Sequence, residues 1–224
     1  MRFIIPEYDF EMELQENEVG ILTIENPQVY EYVLGDLWNQ FQGELGDCII
    51  SDADRQYKIS EEVFCIYQVF DLNISDRKIM NQIFKELTEN ANSQLYRSTS
   101  ELQTHLINYM DSVIQSVSYH LEYQESLDLK ALFKMMGVSV GKLSGTLLER
   151  LVDYLSILHR ICGISIFVIP NLKYYLSEEE LQELYKFARY EKLFLIIIEG
   201  LQSQILQYEK SWIFDKDYCI IKGN

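Results

Sequence analysis

Two short apolar runs, Ile164–Ile169 and Leu193–Ile198, flank a segment of helical pattern in the last third of the chain. Each run has the length of a strand buried on both faces. Between them Ser177 and Glu180 stand at capping-box spacing, with Glu178 and Glu179 in the first turn, where carboxylates complement the helix dipole. This pattern predicts a β-α-β unit whose parallel strands are covered on both sides. Nearer the N-terminus, Arg2–Ile5, Asp9–Leu14 and Val19–Glu25 read as short strands, and the second and third can form a hairpin across Glu16–Glu18, with Gly20 just after the turn. Asn26 and Pro27 then open a helix reaching about Gln42, with Val29, Val33, Leu37 and Phe41 recurring every four residues. Cys48–Ile50, Val63–Tyr67 and Tyr218–Ile221 complete the expected strands.

Beyond Asp71 the apolar period lengthens from two to nearly four. Ser75 is placed to cap a helix with Ile79, Ile83, Phe84 and Leu87 on one face. A longer helix carries the stripe Leu102, Leu106, Tyr109, Val113 and Val117. A short third helix, about Leu129–Met136, stops at Gly137, the residue type that takes a left-handed conformation after a helix end. The segment Thr146–Cys162, with Leu147, Leu151, Leu155 and Leu158 on one face, returns the chain to alternating strands and helices. The fold class is therefore α/β: a head domain built from residues 1–70 and 141–224, with residues 71–140 as an inserted α-helical domain.

Composition narrows the function classes. Among 224 residues, 48% are hydrophobic and only 3 are proline, which argues against disorder. No apolar run approaches the roughly 20 residues that span a bilayer, and Met1–Tyr8 carries no signal-peptide pattern. Cys48, Cys65, Cys162 and Cys219 are scattered, three of them within apolar runs, as expected of free thiols in a cytoplasmic protein. The net charge of −16 speaks against nucleic acid as a partner. Its distribution softens that argument: residues 1–70 hold 15 acidic and 3 basic residues, whereas 71–142 hold 9 and 7, and 143–224 hold 11 and 9.

Several motifs invite a catalytic reading. Gly137-Val-Ser139-Val-Gly141 matches the G-x-S-x-G of a serine-hydrolase elbow, a motif that works only on a strand-turn-helix; here a helix precedes it. Gly137 through Ser144 approaches a phosphate-binding loop, but its spacing is one residue short and Leu143 fills the place of the magnesium-binding hydroxyl. His105, His120 and His159 share no metal-ligand spacing. Trp38 and Trp212 read as core or interface anchors. Glu122, Glu125 and Asp128 cluster after the long helix, with Glu149 on the return helix, and such carboxylates suit calcium, which takes six to eight oxygens. Lys134, Lys142 and Arg150 are spaced so that a basic patch can form near the helical junction.

Gly137-Val138, Thr146–Arg150, Ile164–Pro170, Leu176–Glu180 and Leu195–Gly200 together resemble the short subtype II-A CRISPR-associated adaptation proteins. The resemblance extends over the chain and is clearest across residues 129–200. It implies a degenerate P-loop-like α/β head with a helical leg, and no nuclease or ATPase activity. It further implies a homotetrameric ring, stabilised by calcium, that encircles double-stranded DNA, binds its ends without sequence readout, and takes part in antiviral defence by spacer acquisition. Integrase proteins and the effector nuclease are the implied protein partners, and no membrane is involved. A ring reconciles the acidic surface with DNA, because basic residues facing the hole act once per subunit. By this resemblance the metal ligands are Glu122, Glu125, Asp128 and Glu149; Lys130, Lys134, Lys142 and Arg150 are assigned to DNA by position. The competing readings are a serine hydrolase using Ser139 and an acidic adaptor that binds only proteins.

Overall fold

The computed structural model describes residues 1–53 and 55–223. The chain forms two compact units, one of residues Met1–Leu72 and Leu143–Asn224, the other of Asn73–Lys142.

The first unit is α/β. Its strands are β1 (Arg2–Ile5), β2 (Phe10–Glu13), β3 (Val19–Ile24), β4 (Ile49–Ser51), β5 (Val63–Cys65), β6 (Ile166–Pro170), β7 (Phe194–Glu199), β8 (Glu209–Phe214) and β9 (Ile220–Lys222). Six of them form one sheet in the order β5-β6-β7-β3-β8-β9, parallel throughout except for the terminal pair β8 and β9. A second sheet, β2-β1-β4, is antiparallel. Strand β6 is buried along its whole length, and β7 at all but its first residue. Parallel strands of this kind need cover on both faces, and the helices supply it.

On one face lies α1 (Pro27–Phe41). Its Val29, Val33 and Leu37 share a core with Val63, Cys65, Ile166, Val168, Ile196 and Ile198, and with Phe3, Phe10 and Ile50 of the smaller sheet. The alternate strand residues Phe167, Ile169, Leu195 and Ile197 are fully buried on the opposite face. That side holds α6 (Leu147–Cys162) and α7 (Glu178–Tyr190), whose Leu151, Leu155, Leu158, Leu184 and Tyr185 are buried. The sequence-predicted β-α-β unit is therefore β6-α7-β7. Its capping box is formed: Glu180 N–H donates to Ser177 Oγ at 3.3 Å, and Ser177 N–H donates to the Glu180 carboxylate at 2.8 Å.

One expected pairing is not made. The second and third N-terminal strands do not form a hairpin; β2 pairs with β1, while β3 enters the large sheet between β7 and β8. Gly20 lies within β3, where an added Cβ would come 2.7 Å from Leu14 Cδ1. Glycine lets the smaller sheet pack closely there. Short α2 (Ile59–Glu62) leads into β5.

The second unit is helical: α3 (Arg77–Asn92), α4 (Tyr96–Ile114) and α5 (Leu129–Met135). Asp76, one residue beyond the expected Ser75, caps α3 by accepting from Lys78 N–H at 2.7 Å. Helix α5 ends as predicted at Gly137, with φ of +68°. Gly137 N–H reaches Lys134 O and Val138 N–H reaches Phe133 O, both at 3.0 Å, the two bonds of a Schellman motif. The core of this unit is small: Ile74, Ile79, Phe84, Ala91 and Leu129 are buried, and Phe84 stacks on Phe133 at 6.3 Å. Helix α4 buries none of its residues.

Candidate functional site

In a doubly wound sheet, ligands bind at the carboxyl ends of the strands, where neighbouring connections leave in opposite directions. Here that place lies between β3 and β7. The chain leaves β3 toward the distant edge strand β5, whereas it leaves β7 for β8 on the other side. A phosphate-binding fold would offer a run of backbone N–H groups at the start of the helix after β3.

This helix start is closed instead. The turn from β3 into α1 is Glu25-Asn26, and Pro27, the first helical residue, has no N–H to give. The next two N–H groups, of Gln28 and Val29, both donate to Asn26 Oδ1, at 3.0 and 3.3 Å. The Asn26 amide is itself fixed by donating to Lys216 O at 3.2 Å. The donors that would cradle a phosphate are thus spent within the chain.

The neighbouring strand ends in a carboxylate. Glu199, at the end of β7, is 2% exposed and accepts from Lys173 N–H at 2.9 Å. Burial pushes its pKa up to about 7, against the lowering effect of Lys173. The Lys173 ammonium is itself committed: it lies 2.8 Å from the Glu209 carboxylate and donates to Gln204 O at 3.1 Å. The Glu209 side chain is fully buried and also accepts from Tyr185 O–H at 2.7 Å and Leu206 N–H at 2.8 Å. Desolvation and that carboxylate push the Tyr185 phenol far up. Lys173, Glu199 and the loop residues Leu201, Gln202 and Ser203 line a cavity of about 210 Å³. Its chemistry is that of a buried acid beside a neutralised lysine, a poor host for a phosphate.

The carboxylates named from sequence do different jobs. Asp128 caps α5, accepting from Ala131 N–H at 2.9 Å. Glu149 closes the α6 capping box, accepting from Thr146 N–H at 2.7 Å. Glu122 is exposed and lies 3.4 Å from His120 Nε2. Glu125 lines a cavity of about 270 Å³ whose wall includes Leu106, Ile107 and Met110 of α4. Among the described residues, no three of His, Cys, Asp and Glu gather closely enough to hold a metal ion. Within the helical unit, Glu122, Glu125 and Asp128 do not by themselves supply the six to eight oxygens that calcium takes.

Of the basic residues, Lys130 and Lys134 are exposed and four apart on α5, so they share a face, and Lys142 is exposed on the segment after it. Arg150 is half-buried on α6, and its Nε finds no hydrogen-bond partner among the described residues. Ser139 is exposed on an irregular segment after a helix end, without the strand-turn-helix that activates a hydrolase serine. His159 Nδ1 contacts Ile164 O at 2.9 Å and Ser165 Oγ at 3.2 Å. Cys48 and Cys65 are buried, Cys162 is half-buried and Cys219 exposed, and none of the four is in a disulfide. Sequence reasoning missed Lys173, Glu199, Glu209 and Tyr185. The one available signal was a glutamate closing the apolar run Leu195–Ile198.

An α/β unit with a mostly parallel main sheet and a closed helix start after β3, interrupted in sequence by a helical unit, defines a protein of the α/β class. The family model for the CRISPR-associated protein Cas_Csn2 matches residues 40–218, and the chain belongs to that family. In fold, the chain is similar to Stu0660 of Streptococcus thermophilus, at TM-score 0.61 and 15% identity over 96% of this chain and 75% of that one. An ATP-binding cassette of an ABC transporter, MJ1267 in its ADP conformation, aligns at TM-score 0.47 and 11% identity over 96% and 84% of the two chains, too weakly to inform on fold or ligand. Among the described residues, no helix is long and apolar enough to cross a membrane.

Proposed function

We propose that this CRISPR-associated protein acts in spacer acquisition as a non-catalytic, homotetrameric ring that encircles double-stranded DNA and binds it without reading sequence. The observation that carries the reading is the spent helix start after β3: Asn26 and Pro27 leave no donors for a nucleotide phosphate, so the α/β unit serves as scaffold rather than motor. Self-association is supported by α4, where Leu102, Leu106, Tyr109 and Val113 lie exposed at helical spacing, an apolar face of the kind that marks an interface. The DNA contacts fall to Lys130, Lys134, Lys142 and Arg150, multiplied by the subunit number and directed at phosphates. Calcium belongs to the proposal as an assembly ion only: Glu122 and Glu125 supply oxygens from one chain and a second chain completes the set. Integrase proteins and the effector nuclease are the protein partners of this reading.

The test is a gel shift with linear and covalently closed circular duplex of one sequence, at low and high salt, with calcium or with chelator. Light scattering in parallel should give about 106 kDa, four chains of 26.5 kDa. Binding to linear duplex at low salt, weakening steeply as salt rises, is expected. A monomer that ignores linear duplex in calcium would defeat the proposal.

A further inference from the structure

At one edge of the six-stranded sheet, β5 has a single strand neighbour, β6. Aromatic side chains from both helical layers close over that free edge. Trp38 and Phe41 come from α1, Phe64 from β5, Tyr67 from just beyond it and Tyr154 from α6; together they wall a cavity of about 310 Å³. The rings are held in edge-to-face contacts: Trp38 with Tyr67 at 5.1 Å, Phe41 with Phe64 at 5.2 Å and Phe64 with Tyr154 at 5.8 Å. Tyr67 is further fixed by donating its O–H to Leu34 O at 3.2 Å. Trp38 nonetheless remains 47% exposed, so this wall is built and accessible. Among the described residues lining it, the one charge is the carboxylate of Asp71.

Aromatic walls with a single carboxylate select the chemistry of the occupant. The ring faces attract a cation, and a neutral apolar ligand would strip water from Asp71 without pairing it. Four of the five rings come from the segment 1–70, whose net charge is −12 by 15 acidic against 3 basic residues. That segment steers positive partners toward the pocket. Arginine meets both demands: its apolar stem covers aromatic surface, its planar guanidinium stacks on rings, and its donors reach a carboxylate. The chain already uses the same contact internally, with the Arg189 guanidinium 3.7 Å over the Tyr208 ring and that of Arg55 4.7 Å over Tyr57. We infer that the pocket at the β5 edge is a docking site for an arginine side chain of a basic segment in a partner protein.

The pocket contains one of the two tryptophans, which gives a direct readout; the other, Trp212, is 3% exposed in the core. The full chain is labelled with 5-fluorotryptophan and titrated with N-acetyl-arginine amide while the two fluorine resonances are followed. The Trp38 resonance shifts saturably and the Trp212 resonance stays still. The neutral isostere N-acetyl-citrulline amide binds several-fold to about thirty-fold more weakly, the span of a cation–π contact. Asp71→Asn weakens arginine binding a few-fold with the Trp212 resonance unchanged, which certifies the fold. The inference is overturned if Trp38 does not respond, or if citrulline matches arginine. It is also overturned if the Trp38 resonance moves with protein concentration alone, which would assign the pocket to a second copy of this chain.

Discussion

The α/β unit and the helical unit handle apolar residues in opposite ways. In the first, Phe167, Leu195, Ile196 and Ile197 are fully buried between helical layers, and even its charges are paired out of water, as with Lys173 and Glu209. In the second, the longest helix of the chain buries nothing, and Leu102 and Tyr109 remain 41% and 65% exposed. The same sequence device, an apolar residue every three or four positions, thus yields a closed core in one place and an open face in the other. The difference teaches that a helical stripe marks apolar residues without saying whether the chain itself covers them, and the open face of α4 is the one the proposed self-association uses.

That contrast can be broken by substitution, and the largest effects belong to the α/β core. Phe167→Ala should cost about 3–5 kcal/mol of unfolding free energy in urea, read through Trp212 fluorescence. Lys173→Met, by stranding the buried Glu209 carboxylate, should cost about 3 kcal/mol in the same assay. If either were silent, the core would not be the closed structure described. Glu199 sharpens the picture through pH. Its folded-state value of about 7 lies above the ordinary 4.5, so the native chain binds the extra proton between these limits and stability falls as pH rises through that window. Glu199→Gln should therefore stabilise by about 2 kcal/mol at pH 8 and have little effect near pH 4.5. Thr146→Ala, which opens the α6 capping box, should cost about 1 kcal/mol. The smallest effect on unfolding, within about 0.5 kcal/mol, is expected for Leu106→Ala on α4. That variant should instead lower the mass seen by light scattering, and a large loss of monomer stability would erase the contrast between the units.

How much of this was legible depended on whether a feature is local. The β6-α7-β7 unit could be read because its signals lie within the elements themselves: unbroken apolar runs, with Ser177 and Glu180 three apart between them. Strand β8 could not. Its first residues, Glu209, Lys210 and Ser211, look like a solvated loop; Glu209 is buried only because Lys173 and Tyr185, far away in sequence, satisfy it. The misplaced hairpin has the same origin: β2 alternates and β3 is buried throughout, both as strands do, and only long-range packing decides their partners. The open face of α4 was visible as a stripe, but a stripe does not say what covers it. At the candidate site, Asn26 and Pro27 were read as a helix start, and only the geometry reveals that they also exhaust the donors a phosphate would need. Asp128 and Glu149 as caps were foreshadowed by their positions three residues from their partners, Ala131 and Thr146.

Topology tests the central proposal most directly. The protein is loaded onto linear duplex at low salt, the two DNA ends are then blocked with bulky protein caps, and the salt is raised. A ring threaded on DNA should stay bound on the blocked duplex and leave the unblocked one. Equal release from both at high salt would contradict encirclement and reduce this protein to an ordinary surface binder.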